Sequence, residues 1–155
     1  DASEFTWNIS LTSEYATDPL VLEQELQKSG CKIIDIERNS PYEWTYVIDM
    51  DNAYLDIEVL TSREDIRLKR SLYAHWLNVS KIKKLNISSS RRNRWYPYIS
   101  YYDASLHLLK VIREDKIYHY IKLDIPQNAK YMKISDLYTM KNIRDELKLQ
   151  AQGVK

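Results

Sequence analysis

Apolar and polar residues alternate with a period of two along most of this chain. Phe5, Trp7, Ile9 and Leu11 fall on one face of a segment, the pattern of a half-buried strand. The pattern then changes. Asp18-Pro19 supplies an N-cap and a first-turn proline, and Leu22 and Leu26 lie four apart with Val21 beside them. Lys28 closes the last turn and Gly30 follows it, so a short helix with a left-handed stop is expected here. Period two resumes in Cys31–Ile36, with a turn at Asn39-Ser-Pro41. Trp44, Tyr46, Ile48 and Met50 alternate with Glu43, Thr45, Val47 and Asp49 in the next strand. After a turn at Asp49–Asn52, residues 54–60 put Leu55, Ile57 and Val59 opposite Asp56 and Glu58.

The second half repeats this alternation. Residues 61–70 are charged and read as a solvated loop or an edge strand, and Leu72–Leu77 is apolar without a clear period. Ile82–Ser88 is a strand with Leu85 and Ile87 inward; Ile99–Tyr102 and Leu106–Ile112 flank a turn at Asp103-Ala-Ser105. Ile117, His119, Ile121, Leu123 and Ile125 share one face of the most regular strand, and Tyr131–Ile134 reads as the last. From Leu137 onward, Met140, Ile143 and Leu147 recur at helical spacing. The predicted fold is therefore mostly β: an antiparallel, jelly-roll-like sandwich over residues 1–136 with a short N-terminal helix. Residues 137–155 are expected to form a C-terminal helix, or a linker to a further region.

Composition narrows the functional classes. The 155 residues suffice for one domain with a real core, and a 44% hydrophobic fraction excludes global disorder. Thirteen tyrosines and four tryptophans against one phenylalanine suit half-buried sheet faces and binding surfaces. Two glycines and four prolines leave no phosphate-cradling loop. A net charge of +1 gives no overall pull toward nucleic acid, and no apolar run approaches a membrane span. Lone Cys31 has no disulfide partner and reads as a buried, inert thiol. The opening Asp-Ala-Ser suits the mature side of a secretory cleavage site, so a periplasmic or secreted protein is expected.

The densest aromatic run, Trp95–Tyr102, follows the basic loop Ser88–Arg94. Strand geometry sends Trp95, Ile99 and Tyr101 one way and Tyr96, Tyr98 and Tyr102 the other, so that one set fills the core. Arg91, Arg92, Arg94, Trp95, Tyr96 and Tyr98 are the candidate ligand-binding residues, because exposed rings beside guanidinium groups suit sugar faces and protein interfaces. A polar turn beside ordinary strand aromatics is the plainer account. Asp49, Asp51, Asn52 and Asp56 cluster oxygens near one turn, but the EF-hand pattern fails and Asx residues make turns without a metal. His75, His107 and His119 lack ligand spacing, with His119 on an apolar strand face where a core histidine is expected. No serine sits in a nucleophile elbow, and the sequence alone singles out no carboxylate pair as acid and base. No catalytic residue, cofactor or metal is assigned.

The run Lys81–Ser89, then Trp95–Asp103, Tyr120–Pro126 and Ala129–Ile134, resembles the closing strands of galactose-binding-like (discoidin-type) jelly rolls. The resemblance covers roughly residues 76–135. It implies a non-catalytic β-sandwich whose end loops bind glycans, lipid headgroups or proteins. The cysteine pair and loop glycines of many members are missing, and no ligand residue is carried over. The expected function is a non-enzymatic binding module of the cell envelope or exterior, recognising a glycan or partner protein. The alternative is the N-terminal β-domain of a larger periplasmic scaffold, for example in a flagellar-motor or secretion assembly.

Overall fold

The structure, a computed structural model, describes residues 6–15, 18–63 and 65–155. With 41% of the described residues in strands and 8% helical, it is mostly β, and its sheets are antiparallel. The helix α1 (Pro19–Gln27) starts where the capping residues require: Asp18 accepts the Leu20 N–H at 2.9 Å. It stops at Gly30, whose φ of +74° is left-handed, with the Cys31 N–H reaching back to the Leu26 carbonyl. A Cβ at Gly30 would lie 2.0 Å from the Asn52 carbonyl oxygen, so only glycine lets the helix end seat on that turn.

Strands β1 (Lys32–Ser40) and β2 (Glu43–Asp49) form a two-stranded sheet of their own. Trp44, Tyr46 and Ile48 sit opposite Arg38, Ile36 and Ile33, giving the hairpin one apolar face. Phe5 of the expected first strand lies outside the described residues. Trp7, Ile9 and Leu11 are exposed and residues 6–11 pair with nothing described, so the alternation there has found no sheet. Residues 54–60 also lack a ladder; among the described residues they make one parallel bridge, Val59 to Asn78. Their inward set is nevertheless half-buried while Asp56 and Glu58 are exposed, as the alternation requires.

The remaining strands are β3 (Asp65–Leu68), β4 (His75–Asn78), β5 (Lys84–Ser89), β6 (Pro97–Tyr102), β7 (Leu108–Arg113), β8 (Tyr120–Asp124), β9 (Tyr131–Asp136) and β10 (Leu147–Gln152). They form two four-stranded sheets, in the orders β3-β10-β5-β8 and β4-β9-β6-β7. The pairing is nested: β3 with β10, β4 with β9, β5 with β8, and β6 with β7. One buried cluster draws on both sheets, with Leu85, Ile87, Leu147 and Leu149 from the first and Ile99, Tyr101, Met132 and Ile134 from the second.

Two expectations are corrected here. Residues 137–155 form no C-terminal helix and no linker. After a 3₁₀ turn at Met140–Asn142, the chain enters β10, which is hydrogen-bonded between β3 and β5. Leu147 fits both a helical and a strand period. What decides is Leu147, Leu149 and Ala151 buried against exposed Lys148, Gln150 and Gln152. The expected strand 117–125 likewise begins only at Tyr120. Ile121, Leu123 and Ile125 turn inward as expected, but Tyr118 packs on the core while Ile117 and His119 face water. His119 is thus no core histidine; its carbonyl accepts the Ser89 N–H.

Among the described residues, the Nε2 atom of half-buried His75 and the Oη atom of core Tyr101 are buried without a hydrogen-bond partner. Burial holds the His75 imidazole below its ordinary 6.5. Protonation therefore costs more in the folded chain than in the unfolded one. The stability this neutral ring contributes is present above pH 6.5 and lost as pH falls through the lowered folded value. Urea unfolding midpoints should drop between pH 7.5 and pH 5, and His75→Leu should shrink that drop. A Leu149→Ala substitution should cost about 2–5 kcal/mol in the same assay, as expected of a residue in the closing strand; a loss below about 0.5 kcal/mol would contradict the position of β10.

Candidate functional site

The chain crosses from the first sheet to the second through residues 90–96, and buried polar groups fix this crossing. Asn93 is 1% exposed; its amide donates to the Ser89 hydroxyl at 3.0 Å and the Glu146 carbonyl at 3.3 Å, while its oxygen accepts the Asp145 N–H at 2.8 Å. Asp136 is buried too. One carboxylate oxygen accepts the Tyr96 N–H at 2.9 Å. The other accepts the N–H groups of Tyr138 and Thr139, each at 2.9 Å, and the Asn142 amide at 3.0 Å. Four donors on one carboxylate meet the rule that a buried charge must be hydrogen-bonded. The carboxylate thereby ties the β5–β6 crossing to the β9–β10 crossing.

Trp95, expected among the ligand-binding residues, is 0% exposed and belongs to the core; its indole Nε1 donates to the Ser135 carbonyl at 3.0 Å. A ring with no accessible face cannot stack on a ligand. The alternation anticipated for this run otherwise holds: Ile99 and Tyr101 are buried, Tyr98 is exposed, and Tyr96 and Tyr102 are half-buried on the other side.

Register carries that outward set into a continuous surface on the β4-β9-β6-β7 sheet. Trp76, Lys133, Ser100 and Val111 are aligned across its four strands, and Tyr98 stands between Ser135 and Arg113. The Lys133 ammonium lies 5.6 Å over the Trp76 ring, which is tilted against Tyr102 with centroids 5.3 Å apart. At the far end Tyr96 meets Tyr138 edge-on at 5.0 Å, and the Tyr138 hydroxyl donates to Asp115. That hydrogen bond, reinforced by burial and the Asp115 charge, pushes the Tyr138 phenol above its ordinary value. At the near end Leu55, Asp56, Ile57 and Leu106 join Trp76 and Tyr102 around a cleft of ≈ 480 Å³. The strand residues that face outward on this sheet include two cations, Lys133 and Arg113, and no carboxylate.

Arg91, Arg92 and Arg94 are exposed on the crossing. Among the described residues no guanidinium group of theirs lies over the Tyr96 or Tyr98 ring. Arg92 instead neighbours Asp145, whose carboxyl is held below its usual range first by the Glu146 N–H, then by the Ser90 hydroxyl and the Arg92 charge. The Asp49 turn is an Asx turn, with its carboxylate accepting the Asp51 N–H at 2.9 Å. Among the described residues no three His, Cys, Asp or Glu side chains are grouped as metal ligands. His107 lies on Asp103 in an exposed turn, away from the other two histidines in sequence and strand. Cys31 is buried, and burial followed by the Asp49 charge raises its thiol pKa, as an inert thiol requires. No helix among the described residues is long and apolar enough to cross a membrane.

Trp76, Lys133, Arg113 and Tyr138 were not anticipated. They join Tyr98 through pairings between strands distant in sequence, which local period does not encode. A second signal was in the sequence but hidden in its sum. Residues 1–58 hold thirteen acidic and three basic side chains, whereas residues 59–155 hold nine acidic and twenty basic. The net +1 conceals this segregation. Comparison with family models, curated proteins and solved structures finds no match for the chain.

Replacing the two rings on opposite sides of the run separates core from surface. Trp95→Ala should lower unfolding stability by about 3–5 kcal/mol, whereas Tyr98→Ala should change it by about 0.5 kcal/mol or less. Chemical denaturation of the two variants checks both.

Proposed function

We propose that this chain is a non-enzymatic interaction module, a jelly-roll β-sandwich that presents the outer face of its β4-β9-β6-β7 sheet to a glycan or a partner protein. The nested pairing of eight strands in two sheets over one core supports the architecture, as does the resemblance to galactose-binding-like domains. The observation that carries the functional reading is the surface itself. Trp76, Tyr98 and Tyr102 stand on one sheet face with Lys133 and Arg113, and the four strands themselves turn no carboxylate outward there. Flat rings with apolar bodies and polar tips, beside cations, suit recognition surfaces. Tyr96 and Tyr138 extend the face, fixed at their backbones by Asp136, so little ordering is needed on binding.

The scaffold reading has its own support. No side chain in α1, β1 or β2 is buried, although the unit is rich in apolar residues. A helix and a two-stranded hairpin cannot hold themselves together on so little. This favours a chain that works inside an assembly.

A glycan array probed with the parent, Trp76→Ala and Tyr98→Ala chains tests the sugar form; binding by the parent should fall at least about tenfold in either variant, the scale of losing one stacked ring. A photo-reactive residue at position 98, crosslinked in the native cell, tests the protein form. No glycan bound by the parent and no adduct from position 98 would together overturn the reading.

A further inference from the structure

We propose that the cleft at the near end of this face binds a trimethylammonium cation, carried on a phosphocholine group. The inference goes beyond the glycan or protein reading above. Two rings line the cleft, Trp76 on β4 and Tyr102 on β6, tilted by 38° with centroids 5.3 Å apart. Leu55, Ile57 and Leu106 supply apolar walls, and Asp56 stands at the rim, exposed between half-buried Leu55 and Ile57. The volume of ≈ 480 Å³ falls within the about 300–1,000 Å³ of small-ligand sites. Trp76 also lines a second cleft, with Glu58 and Asp65. Among the described residues, the two clefts that share this indole carry three acidic residues and no basic one. The Asp56 carboxylate makes no hydrogen bond or ion pair among the described residues. Paired rings beside an unpaired carboxylate attract a cation through the ring quadrupoles and the charge together. The Trp76 ring already draws one, the Lys133 ammonium 5.6 Å from its centroid.

The apolar walls select which cation enters. A primary ammonium would have to shed tightly bound water that leucine, isoleucine and ring carbons cannot replace. Methyl groups around a nitrogen present apolar surface and lose little on entry. Lys133 selects what the cation is attached to. It forms no ion pair among the described residues, and its register partner on β4 is Trp76 itself. A phosphate held a short link from the cation meets Lys133 while the methyl groups meet the rings. The walls are set before any ligand arrives. The Leu55 N–H donates to the Tyr131 hydroxyl, and the Tyr102 carbonyl accepts the Lys130 N–H. Leu106 is held at a φ of +63°, uncommon for a leucine, with its N–H on the Asp103 carbonyl. The Asp103 carboxylate secures that turn by accepting the Ser105 and His107 N–H groups. Little ordering is therefore required of the cleft on binding.

Isothermal titration of the full chain with phosphocholine should show saturable binding, with choline bound more weakly and inorganic phosphate not at all. The uncharged analogue of choline, with a tert-butyl group in place of the trimethylammonium, should not bind. Trp76→Leu, which keeps apolar bulk, and Asp56→Asn should each weaken choline and phosphocholine about fivefold or more, the scale of one lost cation–π contact. Lys133→Gln should weaken phosphocholine by a similar factor and leave choline unweakened, a split that misfolding does not produce. Phosphatidylcholine vesicles that sediment the chain and release it to free phosphocholine identify a lipid surface as the source. Titration without vesicle binding identifies a free or polymer-borne phosphocholine, and either result supports the site. Failure of both choline and phosphocholine to bind at millimolar concentration overturns the inference. So does equal binding of the tert-butyl analogue, or unchanged affinity in Trp76→Leu and Asp56→Asn. A trimethyl-lysine peptide that binds where phosphocholine does not overturns it too. Tyr98 lies outside the cleft, so the Tyr98→Ala array and the crosslink at position 98 test the face separately.

Discussion

One carboxylate sets the end of the molecule that carries the aromatic face. Asp136 is the last residue of β9, and its two oxygens accept from Tyr96 on one crossing and from Tyr138, Thr139 and Asn142 on the other. A charge buried at 7% exposure is tolerable only with such a full set of donors. Those same donors fix where β6 begins and where the chain turns toward β10. Trp95 then has one place to go, into the core with its N–H on Ser135, and Tyr96 and Tyr98 are left outside. The aromatic face follows from a buried ionic constraint and is not a matter of loose loop chemistry.

The sequence was most informative where one residue type met one period. Leu85 and Ile87 turn inward as their alternation requires, and so do Ile99 and Tyr101 beside outward Tyr98. The capping chemistry of Asp18, Pro19 and Gly30 set the helix limits almost to the residue. It failed where periods overlap. Met140, Ile143 and Leu147 repeat as a helix would, yet Met140 and Ile143 pack from a short turn and only Leu147 belongs to a regular element, a strand. Alternation also says nothing about whether a partner strand exists: residues 6–11 have the pattern and no ladder among the described residues. The face itself was half legible, since Tyr98 and Tyr102 were placed outward, but Trp76 and Lys133 reach them only through long-range register.

Two parts of the chain stand in different energetic positions. The eight-strand body has a continuous buried cluster and consumes several of its few acids internally, at Asp103, Asp136 and Asp145. Residues 59–155, with twenty basic side chains against nine acidic ones, therefore carry a net positive charge. The α1–β1–β2 unit is the reverse, acidic and without a buried side chain in its helix or its two strands. Neutrality of the whole is a sum of opposites, and fields of opposite sign on one molecule bias how copies orient when they meet.

The slot that β10 fills has a consequence for biosynthesis. Residues 147–152 pair with β3 on one side and β5 on the other, so the first strand of the body waits for the last. A nascent chain emerging from the ribosome cannot close this sheet until residues 147–152 are clear of the exit tunnel. Until then the edges of β3 and β5 are open, and such edges recruit other chains. Closure of the body thus waits for residues 147–152 by topology, and its slow, long-range pairing falls in the interval when a holding chaperone matters most.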